Sequence, residues 1–217
     1  MQLNKILNPI SILMILYAVG FVGVSIPSVN KYFMLLTPLN LLVTFLIAVY
    51  AEKVKSTKFF IMLLVCFFCG LIIELIGVHN EFLFGAYSYG STLGIKFFDT
   101  PIIIGINWAM LTYASVSISN RFNFSITSKA FLGAFLMVFL DLLIEPVAVY
   151  FDFWSWTDQP LNRLIVAPLR NYITWFIASF ILNVFVHFYT PNLKNKVIEF
   201  LYILQVIFFT FINLFVI

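Results

Sequence analysis

Seven apolar runs, separated by short polar segments, constrain the fold of this chain more than any other feature. Each run approaches the roughly 20 residues with which an α-helix crosses the hydrocarbon core of a bilayer. Of the 217 residues, 63% are hydrophobic and 10% are charged, whereas soluble domains contain about 25% charged residues. The sequence therefore predicts an all-α, polytopic integral membrane protein, with residues 1–217 forming a single membrane-embedded domain. The predicted helices are 6–26, 33–50, 59–77, 101–118, 130–150, 171–189 and 199–217.

The basic residues of the connecting segments predict the orientation in the membrane. Cytoplasmic connections carry an excess of Lys and Arg, and here one side has eight basic residues and the other has four. We expect a protein of the cell membrane with a cytoplasmic amino terminus and its two long loops outside. The net charge of +3 is spread over the loops, so no nucleic-acid partner is expected. The eight residues are Lys5, Lys53, Lys55, Lys58, Arg121, Lys129, Lys194 and Lys196, and the four are Lys31, Lys96, Arg163 and Arg170.

Two acids one helical turn apart, Asp141 and Glu145, interrupt the fifth apolar run. A charged side chain near the middle of a membrane helix costs roughly 2.5–3.5 kcal/mol on insertion scales, so such acids indicate function by default. Residues four apart share a helix face, and Pro146 predicts a kink beside the acids because it lacks the N–H that would bond the Leu142 carbonyl. A third acid, Glu74, is predicted near the external end of helix 59–77. A structural polar contact between helices is the alternative.

Two long external loops, 78–100 and 151–169, follow the two helices that carry these acids. Each loop is rich in aromatic residues and ends at a proline before the next helix. The pattern of helix, acid, aromatic loop and helix predicts a weak internal repeat, residues 59–118 and 130–189. Interfacial aromatic belts have a similar composition, but a belt does not explain why each loop directly follows a helix that carries an acid. Loops that cap a cavity would explain this position. The aromatic residues expected to bind substrate are Tyr87, Tyr89, Trp108, Trp154 and Trp156.

Acids in an apolar, aromatic-walled site favour acid–base chemistry on a lipophilic substrate. Burial and mutual repulsion oppose ionisation, so one of the three acids is expected to be protonated at neutral pH while another is ionised. Aromatic faces stabilise a carbocation by cation–π attraction. Neither a metal nor an organic cofactor is predicted, because His79 and His187 fall on opposite sides and Gly-rich nucleotide fingerprints are missing. No serine or cysteine is expected beside a histidine, which argues against nucleophilic hydrolysis.

The acid and aromatic motifs together resemble those of a known family. The motifs are Glu74-Leu75-Ile76-Gly77-Val78, Phe84-Gly85-x-Tyr87-x-Tyr89, Leu93-Gly94, Pro101, Trp108, Asp141-x-x-x-Glu145-Pro146-x-Ala148 and Phe153-Trp154-x-Trp156. Over about residues 70–175, the chain resembles the CruF-type carotenoid hydratases, also described as bisanhydrobacterioruberin hydratases. The resemblance implies a catalytic region at 70–175 that adds water to the terminal double bond of an acyclic (ψ-end) carotenoid such as lycopene, giving a tertiary alcohol without a cofactor.

The expected mechanism uses three catalytic acids and proceeds through a carbocation. Asp141 or Glu145 protonates the alkene, aromatic faces shelter the cation, and Glu74 or the remaining carboxylate positions the attacking water. A carotenoid cyclase using the same cation is a close alternative, and a proton-coupled small-molecule transporter is a more distant one. The expected partners are a lipophilic carotenoid and membrane lipid.

Overall fold

The computed structural model describes residues 8–157 and 161–217. Lys5, Asp158 and the first residues of the predicted helix 6–26 lie outside the described residues. The described helices are α1 Pro9–Ser25, α2 Asn30–Leu35, α3 Thr37–Tyr50, α4 Thr57–His79, α5 Glu81–Phe84, α6 Ile103–Ser119, α7 Ile126–Tyr150, α8 Leu169–Tyr189 and α9 Lys196–Phe215. The described strands are β1 Tyr87–Tyr89, β2 Lys96–Phe97, β3 Thr100–Pro101 and β4 Trp154–Trp156.

Four of these helices, α4, α7, α8 and α9, are long and apolar enough to cross a membrane. This confirms the prediction of a largely helical membrane protein. Helices α1 and α6 have 17 residues each and α3 has 14, fewer than the roughly 20 that span the hydrocarbon core. Every predicted apolar run contains a helix, but seven complete spans stay a prediction.

The predicted helix 33–50 is divided in two at Leu36, between α2 and α3. Pro38 lies in the first turn of α3. A proline ring clashes with the carbonyl four residues before it, which here belongs to Met34, and therefore ends the preceding helix. In contrast, α7 continues through Pro146 to Tyr150.

Helix α6 forms the buried centre of the bundle and packs against α3, α4, α7, α8 and α9. Small and polar side chains let the helices approach closely, as is usual where lipid removes the hydrophobic driving force. Ser115 Oγ of α6 donates to Asn183 Oδ1 of α8 at 3.1 Å. A Cβ at Gly133 of α7 would lie 1.9 Å from the same oxygen, so the glycine admits the Asn183 side chain.

The two aromatic loops pair with each other through β1 and β4. The strands are antiparallel, with Ser88 opposite Ser155 at the centre of the register. Because side chains alternate along a strand, both serines are on the exposed face, with their hydroxyl oxygens 3.3 Å apart, and four aromatic residues are on the other. Gly85 precedes β1 with φ of +110°, a conformation that residues with a Cβ rarely adopt. The loops therefore form one aromatic ribbon, Tyr87–Tyr89 with Trp154–Trp156, over the acid-bearing ends of α4 and α7.

Candidate active site

Glu74, in the last turns of α4, is buried and accepts three hydrogen bonds. Its Oε2 accepts from the hydroxyls of Tyr89 at 2.8 Å and Tyr87 at 2.9 Å. Its Oε1 accepts from Nε1 of Trp108 at 3.1 Å. A carboxylate, which only accepts hydrogen bonds, satisfies all three donors at once.

Glu145, in α7, is surrounded by donors in the same way. Its Oε2 accepts from Nε1 of Trp154 at 3.0 Å and Nε1 of Trp156 at 2.8 Å. An indole N–H cannot accept a hydrogen bond, so this oxygen must act as the acceptor for both. Nδ2 of Asn171 lies 3.4 Å from the other oxygen, Oε1.

Asp141, one turn before Glu145, has fewer donors. Its Oδ2 accepts from Nδ2 of Asn171 at 3.0 Å, so Asn171 bridges the two acids of α7. Among residues 8–157 and 161–217, Asn171 is the only hydrogen-bond donor to the Asp141 carboxyl group. Of the three acids, Asp141 has the fewest donors, and it can carry a proton on Oδ1 while Oδ2 still accepts from Asn171.

A cavity of about 30 Å³ separates the acids and has room for water. All three predicted catalytic acids line it, and so do four of the five predicted aromatic residues. Trp108 is the exception. It is completely buried behind Glu74 and stacks on Trp175, with ring centroids 4.1 Å apart. The lining residues are Glu74, Tyr87, Tyr89, Ile104, Asn107, Asp141, Ile144, Glu145, Trp154, Trp156, Asn171 and Trp175.

The two tyrosines of β1 serve as donors rather than bases. Burial, and then the charge of the neighbouring Glu74, raise the pKa of both Tyr87 and Tyr89 far above the ordinary value. Both hydroxyls therefore keep their protons and continue to donate to Glu74 over any physiological pH.

The sequence did not identify Asn171, Asn107 or Trp175 as site residues. Asn171 lies in the first turn of α8, three residues after Pro168. A proline marks the start of a helix, and this was the signal in the sequence that could have placed Asn171 at a helix end. The structure supplies the donors for the acids as the neutral polar edges of aromatic rings and one amide.

The expectation that no serine lies beside a histidine was wrong. Ser119 Oγ and His187 Nε2 are 3.1 Å apart, where α6 and α8 meet. Both residues are buried, and the Ser119 hydroxyl is within 3.1 Å of the Val116 carbonyl oxygen, to which it donates. Neither residue lines the candidate site or the larger cavity, and the pair connects α6 with α8.

We compared the chain with models of known protein families. A model of a family described as carotenoid biosynthesis protein matches residues 30–217. The chain belongs to this family. The matched range contains every residue of the candidate site, and the resemblance drawn from the acid and aromatic motifs is confirmed at this level. A search of curated proteins and a search of solved structures gave no match. Membership implies a role in carotenoid biosynthesis and a lipophilic carotenoid substrate for a membrane-embedded protein.

Proposed function

We propose that the protein is a hydro-lyase that adds water to the terminal double bond of an acyclic carotenoid, giving a tertiary alcohol. One observation carries this proposal: Asp141, with a single donor, borders a water-sized cavity shared with two carboxylates that have several donors each. A proton donor, a water site and two fixed negative charges are what such a hydration needs. None of these groups requires an organic cofactor.

In the proposed first step, protonated Asp141 gives its proton to the less substituted carbon of the terminal double bond. The electron pair of the double bond forms the new C–H bond, which leaves a tertiary carbocation on the next carbon. The carboxylates of Glu145 and Glu74, together with the face of Trp175, stabilise this cation as it forms. Because their donors hold both carboxylates in place, they need little reorganisation during the reaction.

In the proposed second step, a water molecule in the cavity attacks the cation. Its oxygen forms the new C–O bond, and the proton that it loses goes to Glu145 or Glu74. Transfer of that proton to Asp141 restores the starting state, so the net reaction joins one alkene to one water. Asn107 lines the same cavity, and its amide can hold the attacking water by a hydrogen bond.

The cavity must enlarge to admit an isoprenoid end group, because about 30 Å³ accommodates water only. The apolar lining residues Ile104 and Ile144 make no polar contacts with the acids. Rotation of these two side chains opens the site while the hydrogen bonds around Glu74 and Glu145 stay intact.

We also propose that segments 59–118 and 130–189 are diverged copies of one unit. In each, an acid accepts hydrogen bonds from the strand that follows it, and the next helix supplies one tryptophan of the Trp108–Trp175 stack. In the second unit, Asp141 lies four residues before Glu145. The corresponding position of the first unit, four residues before Glu74, is Gly70. Only one unit therefore carries the additional acid, which agrees with a single proton donor.

Hydration in isotopically labelled water tests the proposed function. Purified protein is incubated with lycopene in H₂¹⁸O, under air and under nitrogen, and the extracted pigments are analysed by mass spectrometry. We expect one labelled oxygen in the product and equal yields in both atmospheres. A product that requires oxygen and lacks label contradicts hydration, and a cyclised product without a hydroxyl supports the cyclase alternative.

A further inference from the structure

A second, larger cavity is bordered by Phe153, the residue before β4. It has a volume of about 250 Å³ and is lined by residues of α1, α2, α3 and α9. Apolar cavities of about 150 Å³ already bind a benzene-sized molecule. The walls are almost entirely aliphatic and aromatic, so the cavity suits one branched end of an isoprenoid chain.

Phe153 connects this cavity to the candidate active site. Its side chain lines the large cavity, whereas the next residue, Trp154, lines the small one. The two cavities therefore meet the chain at neighbouring residues, where β4 begins. Phe153 is anchored there by its N–H, which donates to the Ala148 carbonyl at 2.8 Å, and by its own carbonyl, which accepts from Gly90.

Three polar side chains from three different helices meet in the apolar wall of the large cavity. Tyr17 of α1, Asn40 of α3 and Gln205 of α9 all line the cavity, and both amides lie near the Tyr17 hydroxyl. Gln205 and Tyr17 are at least nine-tenths buried. Among residues 8–157 and 161–217, neither amide side chain has another polar partner.

These amides retain unused hydrogen-bonding capacity. Each carboxamide has two N–H donors and one acceptor oxygen, more than a single tyrosine hydroxyl can satisfy. Unpaired polar groups in an apolar environment are costly, and the cavity beside them has room for a ligand. The trio is neutral, so it matches a hydroxyl group rather than a charged one.

We infer that the large cavity binds the hydroxylated end of the product, with the new alcohol hydrogen-bonded to the Tyr17–Gln205–Asn40 trio. This inference rests on the proposed function. The alkene end of the substrate has no group that can form these bonds, whereas the tertiary alcohol can donate one and accept another. The trio thus distinguishes product from substrate, and it draws the product end away from Asp141, which could otherwise return it to the alkene.

Binding measured without turnover tests the inference separately from catalysis. Asp141→Asn protein in nanodiscs is titrated with lycopene and with its singly hydrated derivative, and tryptophan quenching gives the two dissociation constants. Since one neutral hydrogen bond contributes about 0.5–1.5 kcal/mol, we expect the alcohol to bind about 2- to 10-fold more tightly. When Gln205→Leu or Tyr17→Phe is combined with Asp141→Asn, we expect the ratio of the two dissociation constants to fall close to one. Thr44→Val removes another buried hydroxyl of α3 and should leave this ratio unchanged.

A second pair of variants examines the cavity itself. Val24 lines the cavity, and Ile15 of the same helix faces outward. We expect Val24→Phe to weaken binding of the alcohol by several-fold and Ile15→Phe to leave it unchanged. Equal affinity for the two ligands in the parent protein, or a preference that survives Gln205→Leu and Tyr17→Phe, overturns the inference. A preference for the alcohol in a protein whose wild type hydrates nothing contradicts the proposed function instead.

Discussion

Tyr89 and Trp154 face each other across the antiparallel pair β1–β4, yet they donate to different acids. Tyr89 donates to Glu74 of α4, and Trp154 donates to Glu145 of α7. Their rings contact edge to face, with centroids 5.9 Å apart. The ribbon therefore links two acids from different helices through aromatic contacts rather than through an ion pair.

This link explains how acids are tolerated inside apolar helices. Buried carboxylates require hydrogen-bond donors, and a cationic partner would neutralise the charges that the proposed carbocation needs. Phenol and indole groups donate hydrogen bonds without adding a positive charge. In the proposed mechanism, the aromatic ribbon therefore holds the two carboxyl groups in place without adding a cation beside the cavity.

Asp141→Asn should abolish turnover while the protein stays folded. Loss of a general acid lowers rates by about 10²–10⁴-fold, and the amide is nearly isosteric and accepts the same bond from Asn171. Glu74→Gln and Glu145→Gln should also reduce turnover strongly, because each removes a negative charge beside the cation. Pigment analysis gives activity per molecule of folded protein. Retained activity in Asp141→Asn, together with a lower melting temperature, would indicate a purely structural contact.

Trp156→Phe should lower turnover by about tenfold. The change removes one of the two indole donors to Oε2 of Glu145, and a hydrogen bond to a charged group contributes about 1.5–3 kcal/mol. Tyr150→Phe serves as a matched control because Tyr150, at the end of α7, is exposed. The rate at saturating carotenoid distinguishes a positioning role from a folding defect. An unchanged rate with less folded protein would contradict our assignment.

The sequence predicted the presence of the helices more accurately than the residues at which they begin. The predicted helix 130–150 starts at Ile126, because Ser125 caps it by accepting a hydrogen bond from Ser128 N at 3.2 Å. Ser56 does the same for Phe59 N at the start of α4. Hydropathy excludes such polar first turns, whereas capping chemistry includes them.

The pairing of the two loops was beyond the sequence. Ser88 and Ser155 are 67 residues apart, and no local pattern indicates that two distant short segments share a register. The alternation Tyr-Ser-Tyr and Trp-Ser-Trp was visible, but three residues are too few to distinguish a strand from an aromatic belt. The sequence accordingly indicated the three acids that line the cavity, but not the geometry that supplies their donors.

The two aromatic loops should be accessible from outside the cell. This orientation rests on the distribution of basic residues. Ser91 and Thr157 are both exposed beside the ribbon, so cysteines at these positions, in a protein whose Cys66 and Cys69 are replaced, should react with an impermeant maleimide added to intact cells. Labelling that occurs only after the cells are opened would reverse the orientation.

Asn195→Ala should destabilise the protein without changing its chemistry. Asn195 caps α9 by accepting from Val197 N at 2.8 Å, and its Nδ2 donates to the Ala48 carbonyl at 2.9 Å and to Tyr113 Oη at 2.7 Å. Tyr113 in turn donates to Glu52. Loss of a cap costs about 1 kcal/mol, and each buried group left unpaired adds about 1–3 kcal/mol. We expect a lower melting temperature with unchanged turnover per folded molecule. A reduced turnover would connect this cluster to the active site.

Gly70→Ala should disturb the active site although Gly70 has no side chain to contact an acid. A Cβ at this position would lie 2.2 Å from Cβ and Cγ of Trp108, too close for the ring to keep its place. Trp108 donates to Glu74 and stacks on Trp175, so its displacement loosens both contacts. Overpacking of this kind costs about 1–3 kcal/mol.

Gly20→Ala provides the matched helical control, since its Cβ would meet Phe208 at an ordinary 3.4 Å. We expect a small change in melting temperature for Gly20→Ala, and both a lower melting temperature and a reduced turnover for Gly70→Ala. A second change, Trp108→Phe, separates the two effects, because the smaller ring relieves the overlap but cannot donate to Glu74. Melting temperature should then recover in the double variant while turnover stays low. Recovery of turnover as well would mean that the Trp108 hydrogen bond to Glu74 is dispensable for catalysis.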